Sequence, residues 1–262
     1  MPWILRGLSN GVITSKYPKK MDSYGDSHHS SVKVQTEYLA SRDTDLEGLC
    51  PTGAIRVELG RPRIDLGQCI LCGRCVDRAP EIFSFSTDFE TARLSRDLLV
   101  VPPSAESTGE LANLKSALAD RVRRFGNSVA LRHIDCGSDG SEEWEIAALT
   151  NPVYDVQRLG ITFTASPRHA DILLVTGAGA KGMSDSLKET YHQMAEPKVV
   201  VAVGTDAISG GTHSNSAAVV AGGIEGVLPV DVFVPGSPPS PFGILYGILL
   251  AMGIALDGGA ST

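Results

Sequence analysis

The spacing of hydrophobic positions changes character near residue 105. Beyond it, short β-branched runs alternate with helix-length segments: SVALRHID (128–135), DILLVTG (171–177), KVVVAVG (198–204) and VLPVDVFV (227–234) read as strands. Apolar runs with little polar alternation are typical of strands buried on both faces, as in a parallel sheet. Between the strands, Leu111, Leu114, Leu118, Val122 and Phe125 recur at helical spacing behind a capping-box start at Ser107 and Glu110. Further helices are predicted around Ser184–Met194 and from Pro241. The run Pro241–Leu256 carries three glycines and falls short of the ~20 residues that span a bilayer, so it reads as a buried helix. GAGAKG (177–182) lacks the GxxxxGK[ST] pattern of a phosphate cradle and reads as a tight strand-to-helix turn. The pattern predicts an α/β fold whose second part is a doubly wound, mainly parallel sheet.

The first hundred residues are loop-rich and only briefly periodic. The Pro/Ser-rich stretch VVPPSAESTGE (100–110) marks a break, dividing the chain into units at 1–104 and 106–262. Trp3, Ile4, Leu5 and Leu8 form one apolar face on a short N-terminal helix. Charge adds an exclusion: 23 basic against 30 acidic side chains give a net charge of −7, which disfavours a nucleic-acid partner. The opening lacks the long apolar stretch and cleavage site of a signal peptide, and no run is long enough to span a membrane. Neither secretion nor a membrane span is therefore expected.

Four of the five cysteines are clustered: Cys50, Cys69, Cys72 and Cys75. Clustered thiols without a secretory signal point to a metal rather than a disulfide framework. Cys69-x2-Cys72-x2-Cys75 places three thiolates on one tight turn, at three corners of an iron–sulfur cube, and Cys50-Pro51 offers the fourth. A zinc site is the competitor, although structural zinc usually takes two separated cysteine pairs. The intervening segment predicts a hairpin turning near Gly60. In the second unit, the loops CGSDGSEEWE, GTDAISGG and PGSPPSP each follow a predicted strand, which would gather Asp139, Glu142, Asp206 and Ser237 at one sheet edge. Arg158, Arg168, His169 and Lys181 are candidate counter-charges. Four oxygen donors could suit magnesium or calcium, and a carboxylate of raised pKa could instead serve a proton-handling or quinone-adjacent pocket. A third use is a polar pocket bridged by water or nearby cations.

The cysteine segment resembles a ferredoxin-type domain that once held two clusters. The resemblance expects cysteines at 40, 43, 46 and 79, where this chain has Ala40, Asp43, Leu46 and Ala79. One complete ligand set is missing and the other remains, which implies one surviving [4Fe–4S] cluster on Cys50, Cys69, Cys72 and Cys75. The segments at 151–177, 196–211 and 227–241 resemble the 20-kDa, cluster-proximal subunit of complex I and the energy-converting hydrogenases. In that family, motifs resembling GSCNGCE, GSCA and PGCPP hold a second cluster. Carried onto this chain, the four ligand positions are Asp139, Glu142, Asp206 and Ser237, and Cys136 falls outside the pattern. The resemblance therefore implies that this cluster is absent and the pocket degenerate.

The opening, with Ser15-Lys16-Tyr17-Pro18, is also similar to the ferredoxin-type subunit of formate hydrogenlyase complexes. Together these resemblances imply a fusion: a ferredoxin-like α+β domain followed by a flavodoxin-like domain. They imply an electron-transfer subunit, peripheral on the cytoplasmic face of the membrane, beside a hydrogenase-like or complex I-like large subunit and membrane-arm subunits. The short N-terminal helix would then lie against a membrane-arm protein, or else pack on this chain's own core. Two other readings remain: a scaffold whose cluster only stabilises the fold, and a free-standing soluble ferredoxin. No complete catalytic site is expected in the chain.

Overall fold

The computed structural model describes residues 3–22, 28–35, 45–103 and 105–254, with backbone only for 105–109. Chain order is α1 (Trp3–Asn10), β1 (Ser31–Val34), β2 (Ile55–Glu58), β3 (Arg61–Asp65), α2 (Arg74–Arg78), β4 (Phe83–Ser86), β5 (Val100–Val101) and α3 (Ala105–Val122). There follow β6 (Val129–Asp135), α4 (Ser141–Ala148), β7 (Ile161–Phe163), β8 (Ile172–Thr176), α5 (Ser184–Gln193), β9 (Val199–Val203), α6 (Gly204–Ser209), β10 (Val232–Val234) and α7 (Pro241–Ala251).

The last five strands form one sheet in the spatial order β10-β9-β8-β6-β7, every pair parallel. Counted from β6, this is the 2-1-3-4-5 order of flavodoxin-like sheets, with the chain reversing direction between β6 and β8. Side chains alternate across the sheet, because successive residues of a strand point to opposite faces. Val129, Leu131, Ile172, Leu174, Val201 and Val234 enter one core with α3, α4 and α7. Ile134, Leu173, Val175, Val200, Ala202 and Phe233 enter the other, with α5, α6 and the cysteine-bearing segment. Helix α7 is almost wholly buried. At Gly247 an added Cβ would lie 2.3 Å from Val234 Cγ2, so glycine is what lets α7 approach the sheet. Among the described residues, no helix is long and apolar enough to cross a membrane.

The first unit is built from antiparallel pairs. β1 pairs with β4, and β2 with β3 through a two-residue turn at Leu59-Gly60, both with positive φ, the backbone signature of a type I′ hairpin. β5 extends that sheet. Arg93 and Phe233 exchange backbone hydrogen bonds of 2.9 and 2.8 Å, covering the otherwise open edge of β10. Asp65, buried at the end of β3, receives both Arg96 guanidinium nitrogens at 2.7 and 2.6 Å.

Several expectations change. Helix α3 begins at Ala105, so Ser107 and Glu110 lie within it rather than at its start. The fourth predicted strand shrinks to Val232–Val234, since Pro229 has no N–H to give a ladder. The segments around Glu142 and Asp206 are helices, not loops. β7 is a further strand that the pattern did not single out. Helix α1 forms, and none of its residues is buried, so it does not pack on this chain's own core.

Candidate functional site

Cys50, Cys69, Cys72 and Cys75 line one small hollow, open to solvent, whose walls include Ile55 and Ile64. The sequence brings them there in two steps. Cys50 closes a 3-10 turn at Glu47–Leu49, and the β2–β3 hairpin returns the chain to the loop carrying the other three. Leu71 and Gly73 take positive φ in that loop, turning it tightly before α2 begins. Cys69 and Cys75 are buried and Cys72 is exposed.

Hydrogen-bond donors converge on the sulfurs. The Ala54 amide lies 3.2 Å from Cys50 Sγ, and the Thr52 hydroxyl 3.4 Å from it. Burial opposes ionisation of Cys50, but these bonds outweigh it and hold the thiol below its ordinary value. Burial pushes Cys69 up to about 12, against a bond from the Leu71 amide, and the neighbouring Cys75, Cys50 and Cys72 raise it further. Cys75 is raised by the same effects, burial foremost. The four groups thus feel one another's charge. In this state three more thiolates beside Cys69 are costly, and a cationic guest in the hollow would reverse that. Among the described residues, no group of three or more His, Cys, Asp or Glu closes tightly enough to hold a single metal ion.

Two of the positions where the resemblance expects further cysteines, Leu46 and Ala79, are buried in the apolar core with Ile82 and Phe83. The other two, Ala40 and Asp43, lie outside the described residues. Cys136 is buried at the end of β6, its thiol pushed up to about 12 by burial and by Asp135, and behaves as a small core residue.

The hollow adjoins the parallel sheet. The buried Thr205, on the first turn of α6, donates from Oγ1 to the Cys69 carbonyl at 3.0 Å, and its amide binds the Gly236 carbonyl at 2.7 Å. One threonine thereby ties the cysteine loop to the ends of β9 and β10. At this same carboxyl edge lie Asp139, Glu142, Asp206 and Ser237. Glu142 is 1% exposed, its carboxyl group pressed against Gly204. Burial, together with Asp206 and Asp139, pushes it up to about 7. Burial and Asp139 also raise Asp206, whereas the Ser141 hydroxyl and amide lower Asp139. The Ser141 hydroxyl lies 2.6 Å from Asp139 and 3.0 Å from Glu142. It has one proton to give, so both contacts are satisfied when Glu142 is itself protonated. Ser237 is exposed on the adjoining loop.

The proposed counter-charges are not the ones present. Arg158, Arg168 and His169 precede β7 and β8 and lie toward the opposite end of the sheet; Arg158 binds the Tyr17 carbonyl and Arg168 binds Gln193. Lys181 binds the Ala217 carbonyl. The basic side chain facing Asp139 and Asp206 is His213, delivered by the Gly210-Gly211 turn after α6. Sequence reading also missed a polar chain across the β6–β8 reversal. Ser138 donates to Glu143 at 2.8 Å, the buried Thr176 donates to the other Glu143 oxygen, and His133 Nε2 lies 2.9 Å from Thr176.

Gly177, with positive φ, closes this edge: an added Cβ would sit 2.7 Å from the Gly137 and Ser138 backbone. Gly177→Ala is expected to cost about 2 kcal/mol of stability in denaturant unfolding, because neither backbone can yield without moving the loop that carries Asp139.

Residues 139–251 match the family described as NADH ubiquinone oxidoreductase, 20 Kd subunit. The chain is 35% identical to formate hydrogenlyase subunit 7 of Escherichia coli over 61% of each protein. It is 38% identical to the probable membrane-bound hydrogenase subunit mbhJ of Pyrococcus furiosus, over 56% of this chain and 87% of that one. A chain of the membrane-bound sulfane sulfur reductase, an archaeal respiratory membrane complex, is 26% identical with a TM-score of 0.45, covering 53% of this chain and 76% of its own. Through its parallel-sheet unit, this chain belongs to the family of the 20-kDa subunit of NADH ubiquinone oxidoreductase and its membrane-bound hydrogenase relatives.

Proposed function

We propose that the protein is an electron-transfer subunit of a membrane-associated, complex I-like or hydrogenase-related oxidoreductase, carrying a single [4Fe–4S] cluster on Cys50, Cys69, Cys72 and Cys75. The observation that carries this is one hollow lined by all four thiols and supplied with amide and hydroxyl donors at sulfur. The Cys69-x2-Cys72-x2-Cys75 run with a distant Cys50-Pro51 is the spacing of a cube, whereas structural zinc usually takes two separated cysteine pairs. The cube would supply one-electron transfer. This chain's residues do the rest: Thr52 and the amides of Ala54 and Leu71 stabilise negative charge on sulfur, and Ile55 and Ile64 limit water.

On this reading the protein is a fusion, a ferredoxin-like domain of about 1–104 joined to the 20-kDa-subunit-like domain of about 106–262. The antiparallel β1–β4 pair flanking the β2–β3 hairpin supports the first half, and the burial of Leu46 and Ala79 supports the loss of its other cluster. Asp139, Glu142, Asp206 and Ser237 occupy the second domain's cluster positions as a degenerate polar pocket. The partners are a large subunit and membrane-arm subunits, with the complex on the cytoplasmic face.

The degenerate pocket favours a second reading, a scaffold in which the remaining cluster only stabilises the fold, since it interrupts a chain of clusters. Cys72→Ser separates the two when introduced into the native complex. The electron-transfer reading expects assembly to persist while turnover falls at least about tenfold. Assembly with turnover intact would establish the scaffold instead.

A further inference from the structure

Helix α1 carries Trp3, Ile4, Leu5 and Leu8 on one side and Arg6, Ser9 and Asn10 on the other, as a 100° step per residue dictates. The apolar side is bare, with Trp3 82%, Ile4 55%, Leu5 52% and Leu8 75% exposed. Val12, Ile13 and Met21 continue it as exposed large hydrophobics. A patch of that kind on an otherwise well-packed chain marks an interaction surface.

The segment is also displayed in a fixed place. Four residues beyond the helix end at Asn10, Thr14 Oγ1 donates to the Pro152 carbonyl at 2.8 Å, and the Ser15 amide to that of Val153, also at 2.8 Å. Arg158 then holds the Tyr17 carbonyl at 2.7 Å. Val153, itself partly exposed, adjoins this anchor.

Charge selects the occupant. The first 20 residues hold Arg6, Lys16, Lys19 and Lys20 and no acidic side chain, in a chain whose net charge is −7. All four basic residues are exposed. Apolar residues including a tryptophan, flanked by basic ones, make the chemistry of a helix lying in the headgroup layer of an anionic bilayer. We propose that residues 3–20 bind the surface of an anionic lipid membrane directly, α1 lying in the interface with its apolar side down. The proposal rests on the membrane-associated reading above for its setting only, because it needs neither a cluster nor a partner subunit.

The test is sedimentation of the whole, iron-loaded protein with vesicles of phosphatidylcholine containing phosphatidylglycerol, against phosphatidylcholine alone. In a Trp144→Phe background, fluorescence reports Trp3. The expected result is binding to the anionic vesicles, weakened by salt, with a blue shift of Trp3. The Leu5→Asp/Leu8→Asp variant should lose about tenfold or more in partitioning while keeping its iron content and melting temperature. Binding equal in the wild type and the double variant would overturn the proposal. So would a Trp3 shift produced by a partner subunit and not by vesicles, which would make the patch a protein contact. Loss of iron would bear on the cluster reading and leave the vesicle result standing.

Discussion

Cys69→Ala is expected to reduce bound iron from about four atoms per chain to fewer than about one, because a cube with a buried corner unligated is not retained. Cys69 is the most consequential of the four. It is buried, it feels all three other thiols, and its carbonyl is the acceptor for Thr205. Cys69→Ala leaves that carbonyl in place, so the substitution removes the ligand while keeping the Thr205 bond that ties the cysteine loop to α6. Cys136→Ala is the control: this buried thiol lies outside the hollow, and iron content should stay unchanged while stability falls modestly. Iron assay on the two variants, purified without oxygen, checks both halves of the expectation. Equal iron loss in both would mean that Cys136 has been misassigned to the core.

Glu142→Gln should stabilise the protein. A carboxyl held at about 7 when folded and near its ordinary 4.5 when unfolded binds its proton more tightly in the native state. Its contribution to stability therefore falls as pH rises from about 4.5 to about 7 and stays low above that. The difference corresponds to about 3 kcal/mol. At about pH 8 the variant should melt about 6–12 °C above wild type, and near pH 4.5 the two should converge. Thermal melts across that range decide it. A wild type more stable than the variant at pH 8 would mean that the Glu142 carboxylate is held by a cation at the edge of the sheet.

Much of the second unit was legible because burial on both faces of a parallel sheet leaves uninterrupted β-branched runs, as in Ile172–Thr176 and Val199–Val203. The convergence of Asp139, Glu142 and Asp206 followed from the rule that loops leaving the carboxyl ends of parallel strands meet. What escaped was short or tertiary. β7 has three residues, two of them exposed, too few to show a period. Helix α6, GTDAIS, has weak intrinsic preference, and it holds because Thr205 is bonded at both its amide and its hydroxyl. His213 could not be assigned to Asp206 from seven residues of separation, since the Gly210-Gly211 turn decides where it lands. The cysteine hollow was foreseen from spacing alone, while the donors at Cys50 became visible only once the hairpin placed Ala54 beside it.

A single cube held by Cys50, Cys69, Cys72 and Cys75 is the central proposal for this protein. Iron and acid-labile sulfide per chain, measured with reduced-state EPR on protein purified without oxygen, test it most directly. About four of each with one cluster signal is the predicted result. About eight of each would contradict it, showing that the pocket of Asp139, Glu142, Asp206 and Ser237 holds a second cluster after all.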